Sequence, residues 1–424
     1  MFRNVSLIIV GAVLGAIAMF GLQLRPAPVP RVEAHKDLES AFTAFANSLR
    51  DAGTFVQGHQ WYGTDTEQAE AYRHIARVMI NVLSEGILVD PDFPYFYEIG
   101  PFSKTGMDNS DQRYLSTLIN AQGTYRVWGT RGSSRRLDFS VYEQDALSQS
   151  LATLNTEQLQ VDPDGTFEVF IGGPAREGNW LPLDAAARRL LVRQIHSDWG
   201  NETPGDLHID RIDAGRPLYP VLNSDIMAAR LLQATDLLAL NVRRWPEYSR
   251  TRFDALLPAN TLTAPRDTGA TGGLSGRLMV GGHFELAADE ALLIKAWPTA
   301  AQYHGIQLGH HWWESLDYAN RQSSLTADQA AVSSDGALYF VVSSRDPGVA
   351  NWLDTEGFHR GVIMMRYDGL PGAGMAEERH PYATLVKLGE LAQHLPPDEP
   401  RIGAEQRRQQ IAARRRHVQK RFGI

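Results

Sequence analysis

The residues best equipped for chemistry stand together as His310, His311, Trp312, Trp313 and Glu314. His310 and Glu314 are four apart, the separation at which two metal ligands share one face of a helix. Gly309 and the preceding Ile-Gln-Leu read instead as strand and loop, where that spacing is not expected to converge. No third ligand stands at a recognisable spacing, so no metal is assigned. His310 or His311 is suited to work as a general base. Trp312 and Trp313 offer aromatic bulk, either for an apolar ligand or for a sheet core. Asn320 and Arg321 follow in a polar loop. An arginine beside aromatics can clamp a carboxylate or phosphate; otherwise Asn320 and Arg321 bond backbone carbonyls in a turn. Asp108 and Asp111 are a second pair of carboxylates, but their Gly, Asn and Ser neighbours favour a turn.

Several chemistries are excluded. The chain has 424 residues and no cysteine, which removes disulfides, thiolate nucleophiles and cysteine-bound metals. There is no nucleophile elbow, phosphate loop or dinucleotide fingerprint, so no cofactor is assigned. A net charge of -8 argues against nucleic acid as a partner.

The elements that must position these residues read as α+β. Residues 1–24 form a membrane anchor or signal peptide: residues 5–22, VSLIIVGAVLGAIAMFGL, are uncharged and would span about 27 Å as a helix. The anchor reading makes membrane lipid a partner through residues 5–22. The alternative is cleavage after Ala16-Ile17-Ala18. Residues 25–35 are a proline-rich spacer. Residues 36–122 are a helical region. In its first helix Leu38, Phe42, Phe45 and Leu49 mark the expected core face; its second opens on a Thr64/Glu67 capping box. Residues 123–221 form a first β-rich unit. Residues 222–285 hold a helix capped by Asn223, expected to end before Pro246, and a long glycine-rich loop. Residues 286–370 form a second β-rich unit. Residues 371–424 are a basic tail, either a solvated helix or a contact to anionic lipid.

The two β-rich units share a motif. Residues 161–194 and 332–367 align with Asp164-Gly165 on Asp335-Gly336, Asn179-Trp180 on Asn351-Trp352, and Arg193 on Arg366. Asp-Gly predicts a hairpin turn in each. The asparagines are expected to cap turns, the tryptophans to fill core, and the arginines to close strand ends against carboxylates. This pattern, with the upstream QLGHHWWESLDYANRQSSL, resembles the domain-of-unknown-function 1214 family. The second copy, residues 286–367, carries the resemblance best and the first copy more loosely. The resemblance implies paired antiparallel β-sandwich or jelly-roll-like units in an exported or membrane-linked protein, and it brings no agreed activity.

Three functions follow as expectations. The first is a membrane-anchored, extracytoplasmic module binding an apolar or amphipathic small molecule near Trp312 and Trp313. The second is a cofactor-independent hydrolase or lyase with a histidine base and Arg321 or Arg366 as the anion partner. The third is an envelope scaffold. Oligomeric state is not legible.

Overall fold

The computed structural model describes residues 37–143, 149–213, 218–269, 273–274, 276–372 and 374–424. The anchor or signal segment and the proline-rich spacer lie outside them, and no described helix is long and apolar enough to cross a membrane. The described chain is mixed α+β, with several antiparallel and mixed sheets and, among the described residues, no closed barrel.

Two sets that share seven matching strands follow each other along the chain, with further short strands at their edges. The first runs β1 (Gln112–Leu118), β2 (Tyr125–Thr130), β3 (Arg136–Tyr142), β4 (Thr166–Ile171), β5 (Trp180–Leu181), β6 (Arg189–Ile195) and β7 (Asp206–Arg211). The second runs β8 (Arg277–Glu285), β9 (Glu290–Ala296), β10 (Tyr303–His310), with a short β11 (Glu314–Ser315) turning back on it, then β12 (Leu338–Ser343), β13 (Trp352–Asp354), β14 (Arg360–Asp368) and β15 (Tyr382–Lys387). In the first set β6 lies between β1 and β3, and a second sheet is ordered β5-β4-β2-β7. In the second set β14 lies between β8 and β10, and the other sheet is ordered β13-β12-β9-β15. The connectivity is the same strand for strand. Even the exceptional parallel pairs match, Phe170 beside Trp180 and Val341 beside Trp352. Each set closes one apolar core between its two sheets, around Phe139, Val169 and Val192 in the first and Phe284, Phe340 and Ile363 in the second.

The aligned motif residues do the same work in both sets. Gly165 and Gly336 take φ of 85° and 79°, a left-handed turn that glycine adopts without a Cβ clash. The Asn179 and Asn351 amides each bridge to both backbone groups of one residue, Gln160 and Ala331 respectively. Trp180 and Trp352 donate Nε1–H to the carbonyls of Gly172 and Ser343, both at 3.1 Å. The arginines differ from expectation. Arg193 meets the hydroxyls of Ser140 and Tyr142, and Arg366 meets Gln307 Oε1 and the Met107 carbonyl, so neither closes on a carboxylate. Because Asn351 is buried and Asn179 only half-buried, Asn351→Ala should cost about 1–3 kcal/mol and Asn179→Ala less. Urea unfolding of the two variants checks the order.

Among the described residues four α-helices pack on this frame: α1 (Leu38–Gln57), α2 (Asp65–Leu83), α3 (Ser224–Ser249) and α4 (Ala404–Phe422). The Thr64/Glu67 capping box opens α2 as expected. The core face of α1 is not the predicted one. Ala41, Ser48, Ala52 and Val56 are buried, while Leu38, Phe42 and Leu49 are exposed. Small side chains let α1 lie close to α3; of the predicted face only Phe45 packs inward, and Leu38, Phe42 and Leu49 are left on the outer side. Pro246 lies inside α3 instead of ending it. Proline leaves the carbonyl four residues back without its helical partner, and that carbonyl, of Val242, faces His74 Nε2 at 3.2 Å. The glycine-rich segment is also more regular than expected, since β8 takes up its last residues. There Gly281 lies under the Phe253 ring and Gly282 against the Thr261 carbonyl, positions a Cβ would fill.

The basic tail ends in a helix that docks on the body by one face and leaves Arg408, Arg415, Arg416 and Lys420 exposed on the other. Arg407, Arg414 and Arg421 recur every seven residues on one face of α4 and are buried. Arg407 donates to Asp346 and the Val349 carbonyl, Arg414 to the Tyr318 carbonyl, and Arg421 to the Ser110 carbonyl at 2.8 Å. Arg414 and Arg421 both lie over the Trp199 ring. Thus α4 touches both strand sets and staples them together.

Candidate active site

Two elements far apart in sequence build the site. On α2, Glu70, His74 and Arg77 fall at spacings of four and three, on one buried face. Opposite them the chain turns back from β10 into β11. Trp313 takes φ of 66° there, a conformation costing a bulky residue about 1–2 kcal/mol. The turn makes His310 and Glu314 direct cross-strand partners, so both side chains project from one face. The four-residue spacing therefore does converge, through a hairpin and not a helix.

The carboxylates sit at the centre of a buried network. Glu314 Oε1 is 2.6 Å from His74 Nδ1, and its Oε2 is 2.5 Å from Arg77 Nη1. The same Arg77 Nη1 lies 2.6 Å from Glu70 Oε1, so it bridges the two acids. Arg73 also clasps Glu70. His74 faces an acceptor on both sides, the Val242 carbonyl and Glu314, so one proton must be shared along the Nδ1–Oε1 contact. His310 Nε2 completes the cluster at 3.1 Å from Glu70 and 3.7 Å from Glu314. The contact to Glu70 is out of line for a full hydrogen bond, and His310 Nδ1 meets no protein acceptor or donor. Burial alone would raise the Glu70 carboxyl, but His310, Arg77 and Arg73 outweigh it and hold the group well below the usual range. Burial opposes ionisation of Glu314 too, and Arg77 and His74 again prevail.

Glu70, His310 and Glu314 bring ligand atoms within 4.8 Å of one another, so these three would hold a cation. Arg77 Nη1 already takes the position between the two carboxylates. Arg73 and the His74 proton lie close by and share the acids' charge. The arrangement suits proton transfer better than metal binding.

His310 opens on a cavity of about 10 Å³, on the order of one water, lined also by Trp61, Glu67, His311, Trp312, Phe358 and Arg360. His311 stacks on Trp61 at 3.9 Å and meets Ser249 through Nδ1. Burial pushes its pKa well down, keeping it neutral. Beyond this cavity lies a shallow depression of about 230 Å³, lined by Gly63, Thr64, Glu67, Glu285, His359 and Arg360. Glu67 and Arg360 line both spaces and are paired to each other at 2.6 Å, forming the partition between them.

The other predicted residues are elsewhere. Trp313 packs with Met107 and Phe253 in a separate core and lines neither space. Asn320 bonds Asp317, and Arg321 pairs with Asp354 at 2.9 Å. Their partners are thus carboxylates, and Arg321 has no place at the cavity. Asp108 and Asp111 are buried; Asp108 anchors Ser315 and Asp111 accepts from Tyr303. The cation lining the cavity is Arg360 and the acid lining it is Glu67, while Glu70 stands beside His310. One signal could have found them. Glu70, His74 and Arg77 put three ionisable residues at helical spacing on the face that also carries Val78 and Val82.

No family model and no curated protein matches the chain. Among solved structures, an uncharacterised protein from Burkholderia cenocepacia is similar, with 28% identity and a TM-score of 0.75 over 83% of this chain and 98% of that one. A Vibrio parahaemolyticus protein aligns over 81% of this chain and 100% of that one, with 11% identity and a TM-score of 0.42.

Proposed function

We propose that this chain is a cofactor-independent hydrolase in which His310 is the general base. What supports the reading is one juxtaposition: a buried histidine beside a carboxylate, facing a space the size of one water. Glu70 orients the His310 ring and stabilises the imidazolium formed when Nδ1 takes a proton from that water. Arg77 and Arg73 keep Glu70 ionised for this role. A small anionic substrate docks in the outer depression, where Arg360 exchanges Glu67 for the substrate anion. Its hydrolysable bond then faces the water. The inner cavity is too small for an apolar ligand, which weakens the binding alternative. We also read the two strand sets as β-sandwich-like copies of one unit. The matched turns and connectivity support that reading, and the motif supports placing the chain with the domain-of-unknown-function 1214 family. The uncharged run at residues 5–22 supports a membrane-tethered body outside the cytoplasm.

The test is turnover by the full chain of a panel of esters and amides bearing a carboxylate near the scissile bond. His310→Asn should lower kcat/KM by about 10²–10⁴ with the thermal midpoint retained. Arg360→Gln should act mainly through KM. Trp313→Phe should leave the kinetics unchanged. Full activity in His310→Asn, or no turnover of any panel member, ends the proposal.

A further inference from the structure

The exposed side of α1 has no partner within the described chain, and its position says what covers it. Leu38, Phe42 and Leu49 are exposed on that helix, Phe42 at 61%. α1 and α3 run parallel: Ala41 packs with Ala228 and Leu231, while Ala52 and Val56 share a cluster with Val242. The N-termini of both helices therefore lie at one end of the body. The segment leading into α3 belongs to that end and exposes Leu218 at 93% and Val221 at 88%. Tyr219 packs edge-on against Phe93, which ties this segment to the turn after α2. Leu88 in that turn is 59% exposed, and its neighbour Ile87 packs in the same cluster as Ala41. Three separate stretches thus place large apolar side chains in water at one end. Soluble surfaces rarely gather so many together without a use.

That end is also where residues 1–36 join the body, because Asp37 caps α1. Those residues contain the uncharged run at 5–22, followed by a spacer with Pro26, Pro28 and Pro30. A tether there keeps this end of the body within a short spacer's reach of whatever holds the apolar run. We infer that the apolar end of the body, formed by Leu38, Phe42, Leu88, Leu218 and Val221, rests in the interfacial layer of a lipid bilayer. The inference shares the tether with the proposed function and is independent of its chemistry. Contact is apolar and not electrostatic, since the nearby charges at the helix starts are acidic: Asp37, Glu39 and Asp225. Insertion should therefore be indifferent to salt and should not need anionic lipid.

The absence of native cysteine makes the test direct. Single cysteines replace Phe42, Leu218 or Val221 in the full chain, with Leu385 and Val332 on the second strand set as controls. Each variant carries an environment-sensitive fluorophore and is reconstituted into phosphatidylcholine vesicles containing a nitroxide-labelled lipid. The expected result is at least twofold stronger quenching at 42, 218 and 221 than at 385 and 332, unchanged by added salt. Equal quenching at all five sites would mean that residues 5–22 tether a body held clear of the lipid, and would overturn the inference. Self-quenching between labels at 42, 218 or 221 in detergent, with no added quenching by the labelled lipid, would assign this surface to a second copy and also overturn it. Neither readout depends on turnover, so failure here leaves the hydrolase reading standing, and the reverse.

Discussion

Lowering the pH from 7.5 to 5 should remove several kcal/mol of stability, through buried histidines. Burial holds the pKa of His59 and of His304 down to about 4 and that of His417 down to about 3, and it drives His196 and His311 well below their ordinary value. The sign is fixed by proton counting. Below pH 6.5 the unfolded chain binds protons at these histidines and the folded chain does not, so stability falls with pH until the folded pKa is reached. For His304, buried against the Tyr367 ring, the loss is about 2 kcal/mol at pH 5. Glu356 works the other way, since burial raises its carboxyl to about 7 and it gains a proton in the folded state first. It offsets roughly one histidine. Asp111, Glu202 and Glu399 are raised as well and add to the offset. Five histidines with large shifts still outweigh them. The net change is a loss of stability, large beside the modest stability of an ordinary domain. Urea midpoints at pH 7.5, 6 and 5 measure it. His304→Phe keeps the ring stack and should flatten the slope. A midpoint that does not move over this range would show that these histidines take up protons in the folded state.

What the sequence disclosed, and what it hid, follows from the distance over which each signal acts. The Asp-Gly turns, the asparagine bridges and the tryptophan pair are set within about twenty residues, and the duplicated motif announced them twice. The capping box at Thr64 is equally local. The face of α1 was misread because apolarity alone marks no face as inward. Ala41 and Ala52 are chosen for close approach to α3, and that neighbour is invisible from α1. Pro246 was read as a stop because its cost is local, while its remedy, His74, comes from another helix. The site failed in the same way. His310 and Glu314 are visible, but Glu70 reaches His310 from α2 and Arg360 reaches the cavity from the start of β14, positions that no spacing links to them. Arginines told the least. Arg321 and Arg366 looked equally available, yet Arg321 is committed to Asp354 and Arg366 to the core, and only Arg360 faces the cavity.

Removing the Glu314 carboxylate should be the most damaging single change in the helix–sheet junction. The side chain is buried, and it is the direct partner of both His74 and Arg77. Glu314→Ala would leave the Arg77 guanidinium with Glu70 alone, and the proton on His74 Nδ1 with no acceptor. Stripping one partner from a buried ion pair typically costs about 3–5 kcal/mol, because the remaining charge keeps its desolvation penalty. Glu314→Gln preserves shape: its oxygen can accept from Arg77 and its NH₂ can donate to His74 Nδ1 once that ring is neutral with Nε2–H on the Val242 carbonyl, so it should recover much of the hydrogen bonding and lose only the charge. The cost is one of mismatch and not of a strong bond lost. Replacing the group together with its partners, as Glu314→Leu with Arg77→Met and His74→Leu, should therefore be less destabilising than Glu314→Ala by itself. That non-additivity separates two accounts of the cluster. If the combined variant is the more stable one and yet lacks turnover, the network is kept for the chemistry of His310. If the losses simply add, the ion pairs are net stabilising and the junction depends on them for folding. Chemical unfolding of the three variants and of Arg77→Met and His74→Leu alone, read beside hydrolysis of the anionic ester panel, distinguishes the two.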